Sequence, residues 1–327
     1  MIEIKRMPQN SLNSSVKINC FDRVAVASRS FSRNRVLREE LLQRYEHVTF
    51  NDAGLKLEGD GLVTFLRGHD KAITALERMD ETVFAQLPEL KVIGKYGVGL
   101  DMLDISAMRR LGKRLGWVGG VNRRSVSELV IASAIALLRH VPIANAEVRA
   151  GEWRQHVGNH LSSKTVGIIG CGNIGRDLVQ LLRPFACPIL VNDICHDKAF
   201  YLEHNIEAIG LEELLQRADV VTLHVPLDES TRDMLTAERI ALMRQSAILI
   251  NAARGGLVDE AAIKSALLEK RLAGAYFDVF ANEPPEDTEL LNLPNFLVTP
   301  HIGGSAIEAI LAMGRAAIDG LDINEVP

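Results

Sequence analysis

The string Gly170-Cys171-Gly172-Asn173-Ile174-Gly175 constrains this chain more than any other, because of what flanks it. An apolar run, Thr165-Val166-Gly167-Ile168-Ile169, leads into it, and a helical pattern from Arg176 to Leu182 leaves it. Glycines spaced G-x-G-x-x-G at a strand-to-helix turn let backbone pass where a Cβ would clash. They also open a helix N-terminus whose unpaired N–H groups favour an anion. Without those flanks the string would be a tight turn and nothing more. With them it predicts a βαβ unit with a dinucleotide pyrophosphate over the loop.

Gly170, Gly172, Asn173, Ile174 and Gly175 are therefore candidate contacts. Asp193 ends the next strand, where a carboxylate can accept hydrogen bonds from ribose hydroxyls and repel a 2′-phosphate. That points to NAD rather than NADP. A solvated surface Asp is the alternative, and Asn192 and Asp197 are neighbours that could take the same register.

One such unit fills only part of 327 residues, a length at which a single core usually gives way to two domains. Before the glycine string, Arg23 to Ala27, Val48 to Phe50, Gly61 to Phe65, Lys91 to Gly94 and Leu115 to Val118 read as strands, with helical patterns between most of them. A long helix follows, opened by Ser125-Val126-Ser127-Glu128 as a capping box and running to about Leu138, with Pro142 expected to kink or end it. A second alternating block runs through Thr165 to Ile169, Ile189 to Val191, Val220 to Leu223, Ala247 to Ile250, Gly274 to Phe277 and Phe296 to Val298, a six-stranded expectation. The fold class is α/β with two doubly wound parallel sheets. The last helix, about Ser305 to Asp319, has no strand after it and can return to the first block. That predicts a discontinuous domain of 1–120 plus 303–327 and a second domain of 121–302.

Composition narrows the function classes. Hydrophobic content of 47% and a net charge of −5 describe an ordinary globular chain, and the charges are interspersed, so neither a nucleic-acid-binding arm nor an acidic tail is expected. Cys20, Cys171, Cys187 and Cys195 lack metal-site spacing and are too few for a disulfide scaffold; no metal is expected. The N-terminus is polar, a frayed lead-in before Phe21, and no apolar run approaches membrane-spanning length, which predicts a cytoplasmic location.

Three segments of the second block each end a strand and carry a charged or titratable residue: Asn251-Ala252-Ala253-Arg254-Gly255-Gly256, Asp278 to Pro284, and Thr299-Pro300-His301-Ile302-Gly303-Gly304. Carboxyl ends of strands in an open parallel sheet converge on one crevice, so distance in sequence is no objection. An Arg fork such as Arg254 grips a carboxylate and polarises an adjacent carbonyl. His301 can donate a proton as hydride arrives, and Glu283 beside it would favour the imidazolium. Taken singly, each has a structural alternative: a surface Arg, a solvated turn, a packed His.

The strings together resemble the D-isomer-specific 2-hydroxyacid dehydrogenases, a family that includes phosphoglycerate, glyoxylate/hydroxypyruvate and D-lactate dehydrogenases. The resemblance runs from about Gly61 to Gly314. It rests on Lys95-Tyr96-Gly97-Val98-Gly99-Leu100-Asp101, the glycine loop, His224-Val225-Pro226-Leu227, N-A-A-R-G-G-L-V-D-E, D-V-F-x-x-E-P and T-P-H-I-G-G, in that order. It implies Arg254, Glu283 and His301 as the catalytic set. Cofactor contacts are implied at the glycine loop, Asp193, Val225, Pro226, Ala252, Ala253, Arg254, Asp278, His301, Gly303 and Gly304, with Asp278 holding the carboxamide. Tyr96, Gly97, Val98 and Gly99 become the substrate loop, on a flavodoxin-like domain that closes over NAD bound to the other. A homodimer with Arg139 to His160 as its arm is also implied.

The resemblance leaves the acid open. Arg67 follows the run Gly61 to Phe65, where phosphoglycerate dehydrogenases carry an Arg that meets the substrate phosphate, although Gly68 and His69 depart from the usual Ser-rich continuation. Lys95 and Lys71 are further candidate anion contacts, and a surface Arg is the alternative reading of Arg67. The chain ends 26 residues after His301, so no appended regulatory domain is expected. The activity expected is hydride transfer between NAD and a small D-2-hydroxy acid, either 3-phosphoglycerate or a related phosphorylated acid, or glyoxylate or hydroxypyruvate. An NAD-sensing binding protein on the same scaffold is the reading from a different class.

Overall fold

The computed structural model describes residues 20–327, so the polar lead-in lies outside the described residues. The chain divides into two compact units, one running up to Val118 and resuming over Met313–Pro327, the other Gly119–Ala312.

In the first unit, β1 (Cys20–Val26), β2 (Tyr45–Phe50), β3 (Lys71–Thr74), β4 (Val92–Lys95) and β5 (Arg114–Gly116) form a five-stranded parallel sheet ordered β2-β1-β3-β4-β5. This is the flavodoxin-like order. In the second, β6 (Val166–Ile169), β7 (Ile189–Asn192), β8 (Ile206–Ala208), β9 (Val220–Leu223), β10 (Ile248–Asn251), β11 (Gly274–Phe277) and β12 (Phe296–Val298) form a seven-stranded sheet ordered β12-β11-β10-β9-β6-β7-β8, again parallel. Its order reverses between β6 and β9, the switch point at which doubly wound sheets bind ligands. The fold is thus α/β with two parallel sheets. Strands covered on both faces must be apolar throughout, and β6, β9, β10 and β11 are buried at every position.

The structure corrects several expectations. Gly61 to Phe65 is no strand but part of the helix Gly59–Leu66, which buries Leu62, Val63 and Leu66. That spacing is a helical stripe, and so short an apolar run does not separate the two periods by itself. The real strand there is β3, just four residues long. The second sheet has a seventh strand, β8, whose half-exposed edge position leaves no apolar run to read. The long helix is Arg123–Leu138 with Asn122 before it, so Ser125 lies within its first turn, and instead of closing a capping box its hydroxyl donates to the Gly303 carbonyl at 2.6 Å. The break after Leu138 falls at His140, with φ 55°. Pro142 lies in the first turn of the next helix, Val141–Arg149, where a missing N–H costs nothing.

The returning segment begins at Met313 rather than 303, because Ser125 and Asp278 hold Gly303 within the second unit. It packs on the first sheet through glycines: a Cβ on Gly94 would stand 2.5 Å from the Ala317 carbonyl oxygen, and one on Gly116 2.0 Å from that of Gly320. Leu115 and Glu325 exchange backbone hydrogen bonds at 2.7 and 3.2 Å beyond that seam. No single helix among the described residues is long and apolar enough to cross a membrane.

Candidate active site

The glycine loop bridges β6 and the helix Asn173–Leu182. A Cβ on Gly170, at φ +94°, would stand 2.7 Å from the His224 carbonyl oxygen, and one on Gly175 2.3 Å from the carbonyl oxygen of Gly170. Those two glycines permit the turn itself. Gly172 faces open space, where a Cβ would meet nothing within 4 Å, and no side chain caps the helix that begins there. An open glycine in front of an uncapped helix N-terminus is a cradle that fits a pyrophosphate. Asn173 and Ile174 open that helix, and the Val225 side chain packs at Gly170 with Pro226 next in chain.

Asp193 follows β7 and turns back to the loop, its carboxylate accepting the Cys171 N–H at 2.5 Å and the Cys195 N–H at 2.7 Å. A carboxylate with one backbone bond to each oxygen is oriented and still has lone pairs for ribose hydroxyls. The neighbours are otherwise engaged. Asn192 donates to the Ile209 carbonyl, and Asp197 caps the helix Lys198–Glu203 while pairing with Arg176 at 2.8 Å. Burial pushes the Cys171 thiol up to about 11, so no thiolate competes in the loop.

The loops bearing the candidate catalytic residues leave β10, β11 and β12, three neighbours in the sheet. After β10, the Asn251 side chain accepts the Ala253 N–H at 3.2 Å and donates to the Arg254 carbonyl at 2.9 Å. Gly255 then passes so close to the next loop that a Cβ would stand 1.9 Å from the Phe280 carbonyl. After β11, the Asp278 carboxylate accepts the N–H groups of Ile302 and Gly303 at 2.8 and 2.7 Å and the Thr299 hydroxyl. Its visible work is to hold the His301 loop, beyond the carboxamide role the resemblance implied. After β12, His301 Nδ1 meets Glu283 Oε2 at 2.9 Å, and Glu283 Oε1 accepts the Phe280 N–H at 3.2 Å. The imidazole is oriented through Nδ1, leaving Nε2 to exchange a proton. An apolar cleft of about 440 Å³, walled by Phe280, Pro284, Leu291, Val298 and Pro300, runs along the pair.

In the first unit, Tyr96 to Gly99 leaves the carboxyl end of β4. Tyr96 donates its N–H to the Thr74 carbonyl at 2.8 Å, Gly97 has φ +125°, and the Trp117 indole donates to the Val98 carbonyl at 3.1 Å. Arg67 is not brought to this loop. It caps the helix ahead of β3 and therefore stands at the amino end of that strand, where Gly68 donates to Glu89 and Asp70 N–H to the Arg23 carbonyl. Lys71, the first residue of β3, is likewise remote, tied to Tyr45, Asp22 and Asp322. Reading a helix as a strand moved Arg67 to the wrong end of the sheet.

Three buried side-chain atoms among the described residues have no hydrogen-bond partner: Asn122 Oδ1, His224 Nδ1 and Thr74 Oγ1. Buried orphans are rare, and these stand beside the glycine loop or at the carboxyl ends of strands, where ligands are expected. Asn122 precedes the helix Arg123–Leu138 yet makes no capping bond, although it is only 8% exposed. His224 is held neutral, pushed down to about 3 by burial. Among the described residues no group of three or more His, Cys, Asp or Glu could hold a metal ion.

Residues 131–303 match the model of the D-isomer specific 2-hydroxyacid dehydrogenase, NAD binding domain. The chain is 36% identical to a D-3-phosphoglycerate dehydrogenase of Methanocaldococcus jannaschii over 85% of its own length and 54% of the relative's. It is 35% identical to a glyoxylate reductase of Pyrococcus furiosus over 85% of its own length and 80% of that protein's. It thus spans about half the length of the phosphoglycerate dehydrogenases it matches. Among solved structures, the pyruvate reductase of Chlamydomonas reinhardtii superposes with a TM-score of 0.79 at 28% identity, covering 93% of this chain and 96% of that one. With its two parallel sheets, its glycine loop and the His301–Glu283 couple, the chain belongs to the D-isomer specific 2-hydroxyacid dehydrogenase family.

Proposed function

We propose that this protein is an NAD-dependent dehydrogenase that interconverts a small, unphosphorylated 2-oxo acid, such as glyoxylate or hydroxypyruvate, with its D-2-hydroxy acid. The observation that carries the activity is the His301–Glu283 couple at 2.9 Å, on a loop adjoining that of Arg254. The bound nicotinamide supplies or accepts the hydride. Arg254 grips the substrate carboxylate, His301 passes a proton between Nε2 and the substrate oxygen, and Glu283 stabilises the imidazolium. Asp193 selects NAD by repelling a 2′-phosphate, and the backbone of Tyr96 to Gly99 receives the acid. In this reading the unit that ends at Val118 and resumes over Met313–Pro327 is the substrate domain, and Gly119–Ala312 is the cofactor domain.

The choice of an unphosphorylated acid rests on Arg67, which stands at the amino end of its sheet. At the carboxyl end of β3 the loop exposes Leu76, at 77% exposure, and Arg78, whose guanidinium is drawn to Asp80 at 3.6 Å. A homodimer fits the arm: the helix Val141–Arg149 buries none of its side chains, and Trp153 and Val157 are 85% and 94% exposed.

NADH oxidation with glyoxylate, hydroxypyruvate, pyruvate and phosphohydroxypyruvate tests both parts. Preference for the phosphorylated acid would overturn the substrate assignment. Absence of turnover with all of them would leave an NAD-binding protein without this activity.

A further inference from the structure

Lys95 is the last residue of β4, only 4% exposed, and its ammonium donates to the Ala75 carbonyl on the loop after β3. A charge kept out of water is costly and is retained where its field or its bonds are used. Several contacts converge here. Thr74 and Lys95 are register partners in adjacent strands, and the Thr74 carbonyl accepts the Tyr96 N–H. A Cβ on Gly97 would lie 3.6 Å from the Lys95 Nζ, so the ammonium sits directly against the glycine turn. On the other side, Trp117 pins the Val98 carbonyl. The Ala75 N–H is taken by Glu77 at 2.6 Å, which stiffens the loop that receives the lysine.

We propose that Lys95 is the positioning residue of the acid-binding loop: its buried charge ties Ala75 to the turn at Gly97 and sets the affinity for the substrate carboxylate. The inference rests on the dehydrogenase reading, within which Tyr96 to Gly99 receives the acid. A cation beside that backbone, and outside direct contact with the reacting atoms, strengthens every N–H bond to the carboxylate in ground state and transition state alike. Such uniform binding moves KM and leaves kcat.

The experiment compares wild type with Lys95→Met, Lys95→Gln and Lys95→Arg. KM and kcat are measured with glyoxylate or the best acid of the panel, Kd with NADH, and oxalate, a dicarboxylate mimic of the acid, is titrated onto the NADH-loaded protein. Lys95→Met is expected to raise KM and the oxalate Kd about tenfold or more, with kcat within about threefold and NADH binding unchanged. Lys95→Gln, which keeps a donor for Ala75 without the charge, is expected to follow Met, and Lys95→Arg to return close to wild type.

A wild-type KM in Lys95→Gln overturns the role of the charge. A kcat loss at constant KM overturns the positioning role. If Lys95→Met does not fold, the Gln and Arg pair decides. Wild-type turnover tests the dehydrogenase reading by itself. Wild type that turns over an acid while the variants keep its KM counts against Lys95 alone, and wild type that neither turns over an acid nor binds oxalate removes both.

Discussion

His301 is held in a conformation that few non-glycine residues adopt, with φ 55°. Its N–H donates to the carbonyls of both Asp278 and Thr299, at 2.8 and 3.0 Å, and the Asp278 carboxylate grips the next two N–H groups. Backbone held so firmly fixes where the imidazole can point, as the proton transfer proposed for it requires. His301→Ala should lower turnover by roughly 10²–10⁴-fold with NADH affinity retained. Steady-state kinetics beside a fluorescence titration check this, and near-normal turnover would remove His301 from the mechanism. Asp193 has two jobs, because the carboxylate proposed to exclude a 2′-phosphate also holds the Cys171 and Cys195 N–H groups. Asp193→Asn keeps one acceptor oxygen and loses the charge. Its preference for NADH over NADPH should fall by roughly ten- to a thousandfold, one unit-charge repulsion at about 4 Å costing about 1 kcal/mol in bulk water and about 4 kcal/mol near a protein surface. Ratios of kcat/KM with the two cofactors read this, and an unchanged ratio would detach Asp193 from cofactor choice.

Among elements, what matters most is how the loops after β10 and β11 meet. Gly255 lets them touch, and Gly255→Ala would put a methyl inside the Phe280 carbonyl. One loop must move, so stability should fall by about 2 kcal/mol or more and kcat/KM by roughly 10²-fold as Arg254 shifts. Urea unfolding and steady-state kinetics measure the two, and wild-type values in both would show that the contact is slack. At this scale the buried parallel strands were plain in the sequence, since Val166–Ile169, Val220–Leu223 and Gly274–Phe277 are apolar but for the Thr222 and Tyr276 hydroxyls and have no charged or solvent-facing side to obscure them. Gly61 to Phe65 was opaque because five apolar and small residues fit both periods, and that one error carried Arg67 from the amino end to the carboxyl end of a strand. The Arg254, Glu283 and His301 segments were legible because each follows a readable strand. Asn122 and His224 were not, since what distinguishes them is a missing partner, and only coordinates show that.

For the whole molecule, the defining feature is that the chain leaves the first unit at Val118 and comes back to it at Met313. The seam of that return is glycine against backbone, Gly94 on Ala317 and Gly116 on Gly320, with no room for a side chain. Gly116→Ala should therefore loosen the first unit by about 2–3 kcal/mol while leaving the second intact. Hydrogen exchange would show faster exchange in β4, β5 and Met313–Pro327 with β6–β12 protected as before, and uniform loosening would mean that the units do not melt separately. The same return sets an order on synthesis. The strands made first on the ribosome cannot close their sheet face until nearly the last residues have emerged, whereas everything in Gly119–Ala312 is already available. A nascent chain halted before Met313 should resist protease over the second unit and be cut in the first, so the segment made earliest waits longest for its partner.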